Sequence, residues 1–390
     1  MKNIIILLAA FGVSCAGRGG TAEGGLVVID ISARYPVEEV VLQDIADVEY
    51  IPLAMSDEVL LSATDRLFHI SDRFVMVQAR GGIFVFDGGG RIVSHFNRTG
   101  RGPQEYASAW SVVFDEAAEE FFVVDGATAG RVQVYSLEGE YRRTLMLPGG
   151  MAPRIFDFDE ATLLAYDESG LFDGGFSTSP YHLVSKADGA IVETLDISLP
   201  ERYALSEVIT ERDAAGEVSG FRVWRLSHTN NRVGGGGGFT LADVSSDTVW
   251  RFAPGRALVP EFVRTPSVRA SEPRKVWGIG LATDDFVLFE VLTLDFETAK
   301  RGEYPPVRRL MYDRATGGVT DVTFVDGDNR AAPWVWSDAA RLPSGVVAQL
   351  LDPLTLREAL GDGKLGGRLA DLAARLDDGD NPVLVVATFK

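Results

Sequence analysis

The chain has 390 residues, 46% of them apolar and 24% charged, enough to bury a large core and too hydrophobic for a disordered segment. Its formal net charge of −19 argues against a nucleic-acid partner, because neutralising phosphates takes clustered Lys and Arg, and the sequence holds no such cluster. A single cysteine excludes an internal disulfide.

The N-terminus reads as an export signal. Met1-Lys2-Asn3 is a short basic start and Ile4 to Phe11 an unbroken apolar run, too short to span a bilayer and of the right length for a secretory signal. Gly12-Val13-Ser14 leads into Cys15 and resembles a bacterial lipobox, with Gly12 where an aliphatic residue is usual. Residues 1–14 are therefore expected as a lipoprotein signal peptide and Cys15 as the acylated first residue of the mature protein. The alternative is an incidental thiol. Each buried methylene contributes about 0.8 kcal/mol, so two or three acyl chains hold a protein on a membrane. Residues 15–25 are rich in glycine and small residues and are expected as a flexible tether, with one folded domain over residues 26–390.

That domain repeats. Ile83 to Phe96 and Val132 to Leu145 are each a strand, a glycine-containing turn and a returning strand, and their turn glycines, Gly90 and Gly139, lie 49 residues apart. A fixed period in strand-rich sequence points to an all-β propeller of four-stranded antiparallel blades. The first blade is expected over Arg66–Ile70, Arg73–Gln78, Ile83–Asp87 and Arg91–Phe96, and the second over Ser111–Phe114, Glu120–Asp125, Arg131–Ser136 and Tyr141–Leu147. Turn glycines 189, 255 and 317 mark three more hairpins. A sixth blade is expected from Gly345–Leu351 and Val383–Lys390, completed by an N-terminal strand, either Leu26–Ile31 or Val48–Leu53. Six blades is the predicted count, with seven the alternative. Gly234–Gly238 is expected as a loop tip. Pro353 to Leu376 carries a leucine stripe at helical spacing, broken by glycines, and predicts a short helical insertion packed on a blade.

Four features carry a resemblance. They are Ile51-Pro52-Leu53, the Gly100-Arg101-Gly102-Pro103-Gln104-Glu105-Tyr106 loop, Asp247-Thr248-Val249-Trp250-Arg251, and Asp380-Asn381-Pro382-Val383-Leu384. The loop resembles the G-x-G-P-x-E-[FY] connection of NHL-like propellers, with Gln104 where glycine is frequent. The chain is similar to the bacterial six-bladed β-propeller lipoproteins abundant in Bacteroidota. That resemblance implies the fold and a lipid anchor in the cell envelope, on the periplasmic or surface face of the outer membrane. It carries over no activity residue by residue.

Candidate chemistry is sparse. Arg101, Glu105 and Tyr106 are candidates to project toward the channel mouth, where an arginine grips a carboxylate or sugar hydroxyl and a tyrosine stacks on a ring; a purely conformational role for the loop is the competing reading. Trp334 and Trp336 share one strand face and suit a sugar ring or apolar peptide residue if exposed, or the inter-blade core if buried. Of the four histidines only His69 is expected near the axis, and zinc needs three or four converging ligands, so no metal site is predicted. The acidic runs Asp326–Asn329 and Asp377–Asp380 lack a calcium-loop pattern and read as solvated turns. No nucleophile or phosphate-loop motif is present. The expected function is non-catalytic binding of a glycan, peptide or envelope-protein partner through loops on one face, without a cofactor. The alternative is a metal-assisted lactonase- or lyase-like enzyme at the central funnel, for which Ca2+ is the expected ion.

Overall fold

The computed structural model describes the chain outside residues 1–19, 22–24, 152, 169–174, 226–231, 236–237, 253–254, 256, 271, 304–305, 331–333, 335–344 and 390. Six sheets form a six-bladed β-propeller. The first blade runs outward through Arg66–Ile70, Phe74–Ala79, Gly82–Asp87 and Ile92–Phe96. The second uses Ala109–Asp115, Glu120–Asp125, Arg131–Ser136 and Tyr141–Met146. Pro153–Asp157, Thr162–Asp167, Tyr181–Ser185 and Ile191–Thr194 make the third. Arg232–Gly235, Gly238–Leu241, Thr248–Phe252 and Leu258–Thr265 make the fourth, and Lys275–Ala282, Phe286–Thr293, Arg308–Asp313 and Val319–Val325 the fifth. The sixth joins Val346–Leu351 and Val383–Phe389 to Ala46–Pro52, three strands among the described residues. Leu53 and Val59 then bury themselves between the sixth and first blades on the way to Arg66.

Residue choice follows position. Each blade is sandwiched between two others, so its middle strands are apolar on both faces: Gly82–Asp87 is buried over all but its last residue, whereas Ile92–Phe96 on the rim exposes Ile92, Val93 and His95. Aromatic rings fill the wedge between blades, with Phe121 lying 4.6 Å from Phe114 and 5.3 Å from Phe96. Gly139 has φ +80°, and a Cβ there would lie 2.2 Å from the Phe96 ring, so this turn needs glycine twice over.

The N-terminal segment departs from the prediction in an informative way. Of the two candidate closing strands, the one around Val48 enters the sixth blade. Val27–Asp30 instead adds in parallel to Leu258–Thr265 on the rim of the fourth. Gly20–Thr21, inside the expected tether, pairs with Val27 and Val28. Val37–Val41 adds in parallel to Val319–Val325 on the fifth, and the short helix Leu42–Ile45 leads into Ala46–Pro52. One strap thus binds three consecutive blades, with Ile29 and Ile31 fully buried. Asn381 locks its far end: the side-chain amide donates to Ala54 O (2.8 Å) and Val59 O (3.0 Å), and its oxygen accepts from Leu61 N (2.8 Å).

One other expectation changes. The glycine run is not simply a loop tip. Gly234 and Gly235 end one strand and Gly238 begins the next, paired in one hairpin, with residues 236–237 outside the described set. The long gap before the fourth blade holds an additional hairpin, Ser206–Arg212 with Val218–Arg225. The helical insertion is present as Pro353–Gly361 and Gly367–Ala373, lodged between the first two strands of the sixth blade, where Leu356, Leu369 and Leu376 bury against Val383.

Candidate functional site

Strand alternation sorts the loops. The crossings from one blade to the next share an end of the ring with the links between second and third strands, and the remaining turns share the other. The crossing-loop end carries the longer, more irregular connections, the places where rigid scaffolds usually hold binding residues.

The GRGPQEY loop makes the first of these crossings, and its shape is set from below. Gln133 donates through Nε2 to Pro103 O and Glu105 O (3.0 Å each), and Tyr135 OH donates to Gln104 O (2.9 Å). Asp125, buried at the end of its strand, accepts from the backbone N–H of Ala107 and Ala127 (3.1 Å each) and from Arg131 Nε (3.0 Å). Burial pushes the Asp125 carboxyl up, but those N–H groups and the Arg131 guanidinium outweigh it and hold it below the usual range. Glu105 turns back onto its own loop, accepting from Gly102 N (2.8 Å) and filling the space a Gly100 side chain would need.

Arg101 is exposed. Tyr106 is not: 2% exposed, its ring packs against Tyr135 in the core between the first two blades, which corrects the expectation that it stacks on a ligand. Glu105 is half-buried and serves the loop's own conformation. Trp334 is 4% exposed among residues of the fifth and sixth blades, the core alternative. Trp336 and Cys15 lie outside the described residues. Asp326 is a correction. It is buried and accepts from Gln43 Nε2 (2.6 Å) and Tyr50 OH (2.9 Å), so it is a structural hub rather than a solvated turn. The described residues bring together no group of three His, Cys, Asp or Glu side chains able to hold a metal.

Residues the sequence reading passed over lie at the channel mouth, where the inner strands begin. Arg66 Nη1 donates to Trp110 O (3.2 Å), and Gln78 Nε2 to Ala109 O (2.9 Å), so the first blade grips the next inner strand by its backbone. Arg154 Nε pairs with Glu168 (2.8 Å), and Lys275 opens the fifth inner strand. Their signal was positional, a basic residue at the first or second place of an inner strand, legible only once the inner strands are known. Farther out, the long third crossing is riveted by Arg202. Its Nη2 donates to Tyr166 OH (2.5 Å), which donates to Asp243 Oδ2 (2.6 Å); burial raises the Tyr166 hydroxyl far above its usual value, so it stays a donor.

At the opposite end His69 Nε2 sits 3.0 Å from Glu116 Oε2, with the Phe114 ring edge-on at 5.4 Å. Burial lowers the imidazole below its usual 6.5, against the opposing pull of Glu116. The unfolded chain therefore binds more protons just below that value, and stability is expected to fall as pH drops through 6.5 and the folded-state value beneath it. Urea midpoints for His69→Gln should show a shallower loss across that window; an unchanged slope refutes the assignment.

Comparison with known proteins supports the fold. A solved protein of Bacteroides fragilis described as exported superposes with a TM-score of 0.63 at 14% identity, over 93% of this chain and 99% of its own. Streptogramin B lyase (TM-score 0.34, 11% identity, 73% of this chain and 93% of its own) and Staphylococcus aureus virginiamycin B lyase (0.32, 11%, 68% and 95%) overlap too little to inform its chemistry. No curated protein matches the chain. Residues 26–264, more than half the sequence, match the family described as Domain of unknown function (DUF4934), and the chain belongs to that family.

Proposed function

We propose that this protein is an exported, outer-membrane lipoprotein of the Bacteroidota type, anchored through acylated Cys15, whose propeller recognises a ligand or envelope partner at its crossing-loop end without bond chemistry. The observation that carries the reading is the GRGPQEY loop. It presents exposed Arg101 on a backbone fixed by buried Gln133, Tyr135 and Asp125, a preorganised loop on a rigid base. The export signal before Cys15 and the likeness to an exported protein support the location.

Two measurements test it. Detergent phase partition should place the wild-type protein with the membrane fraction and Cys15→Ala in the aqueous phase; wild type in the aqueous phase ends the anchoring reading. A thermal-shift panel of glycans, peptides and divalent metals, with and without EDTA, should give a stabilisation indifferent to EDTA and weakened by Arg101→Ala. A metal-dependent shift abolished by EDTA overturns non-catalytic recognition in favour of metal chemistry at the funnel.

A further inference from the structure

The rim of the ring is covered on one half and bare on the other. The strap adds Val27–Asp30 in parallel to the outer strand of the fourth blade and Val37–Val41 to that of the fifth. In the sixth, Arg368 of the helix Gly367–Ala373 donates to Val48 O on the outermost strand. The outer strands of the first three blades, Ile92–Phe96, Tyr141–Met146 and Ile191–Thr194, each pair with one neighbour only among the described residues. A free strand edge is a row of unpaired N–H and C=O groups, which natural proteins usually cover or blunt.

The first blade stands apart from the other two. Ile92 is 37% and Val93 45% exposed, two adjacent apolar residues on an open edge. Between Asp87 and Glu105 the sequence holds Arg91, Arg98 and Arg101 and no acidic residue, in a chain of net charge −19. Arg91 is 86% exposed and bonds Asp87 in its own turn. Arg98 spends one donor on Gly139 O (2.7 Å) and forms no ion pair among the described residues. Glu58 approaches His95 (3.6 Å) and pairs with neither arginine. The bare edge of the third blade is framed instead by Asp188, Glu193 and Asp196, so it repels what the first attracts.

We propose that the outer edge of the first blade, Ile92–Phe96, receives an extended, acidic, valine-rich segment of a partner protein, added in parallel as the strap is added to the fourth and fifth blades. Two observations commit to that occupant. The strap shows that the rims of this fold accept an added parallel strand, and both of its strands, VVID and VEEVV, are short runs rich in β-branched residues. Main-chain bonds along such an edge supply affinity, and side chains supply specificity. The arginines flanking the edge then select carboxylates, because opposite charges across a strand pair favour it and like charges oppose it. A second copy would set the same basic edge against itself. The surface is the rim and not the crossing-loop end, so it goes beyond the recognition proposed there and is tested apart from it.

The test titrates fluorescein-labelled peptides against the full chain by fluorescence anisotropy: TVEVEVT, TVKVKVT, and TVEVEVT N-methylated at either its odd or its even residues. TVEVEVT is expected to bind, to slow amide exchange in Ile92–Phe96, and to weaken about fivefold or more in Arg91→Glu. Val93→Lys serves if Arg91→Glu loosens the turn shared with Asp87. Of the two N-methylated forms only one should bind, since a strand pairs through one edge; binding of both overturns strand addition. Equal binding of TVKVKVT overturns the acidic assignment. Slowed exchange at Val319–Val325 or Leu258–Thr265 in place of Ile92–Phe96 means that the peptide displaces the strap, and the proposal falls. It falls equally if TVEVEVT does not bind at millimolar concentration. A dimeric mass by light scattering, with Ile92–Phe96 protected before peptide is added, gives the edge to a second copy instead.

Discussion

Lys186→Ala is expected to cost about 3–5 kcal/mol of folding stability, the range for removing one partner of a buried ion pair. Lys186 closes the turn between the outer strands of the third blade with its side chain 8% exposed. Its ammonium lies 2.5 Å from Asp115 on the second blade and 2.6 Å from Asp157 on the third. Asp115 is as deeply buried as the lysine, so truncation leaves a carboxylate out of water without a counter-charge; Asp157 is nearer solvent and contributes less. The same turn is held from outside by Arg143, which donates to Lys186 O and grips Glu120 through two hydrogen bonds of 2.7 Å. The loss should therefore appear as a weakened interface between the second and third blades, with both sheets intact. Urea unfolding measures the cost, and adding Asp115→Asn should recover part of it by removing the stranded charge. A loss below about 1 kcal/mol would mean that water reaches the site and that the pair behaves as a surface salt bridge.

How much of this was legible beforehand depended on how far apart the partners lie in sequence. The blade hairpins were readable because each is local: Asp87, Gly90 and Arg91 form one turn, and its echo at Ser136, Gly139 and Glu140 makes the same backbone bonds. The strap was not readable as a strap. Val27 pairs with Phe262 and Val37 with Asp321, and parallel pairing across such distances leaves no turn signal. Aromatic and acidic side chains misled in the same way. Tyr106 lies in a loop of glycine, proline and charge, and only Tyr135, 29 residues on, draws it into the core. The basic residues of the mouth were visible individually but acquired a common position only when six strand starts were set around one axis.

The second large effect is expected at Asp326, where the strap meets the last crossing. Its carboxylate accepts from Gln43 Nε2 and Tyr50 OH on the strap and from Asp328 N (2.9 Å) in its own turn. Hydrogen bonds to a charged acceptor are worth about 1.5–3 kcal/mol each, and Asp326→Ala removes a buried carboxylate that takes three of them, two from the half-buried Tyr50 hydroxyl and Asp328 N–H, so a loss of about 3 kcal/mol is expected. Burial raises the Tyr50 hydroxyl far above its ordinary value and Asp326 raises it further, so the phenol remains a donor at any accessible pH. Asp326→Asn keeps one acceptor oxygen and should recover more than half of the loss. The location of the damage matters more than its size. Ala46–Pro52 is the strand against which C-terminal Val383–Phe389 pairs, so loosening it opens the ring where its two ends meet. Amide exchange should accelerate in Val37–Val41, Ala46–Pro52 and Val383–Phe389 while Glu120–Ser136, diametrically across the ring, stays protected. Uniform acceleration would show instead that the propeller opens as a single cooperative unit, with the strap as one interface among six rather than its clasp.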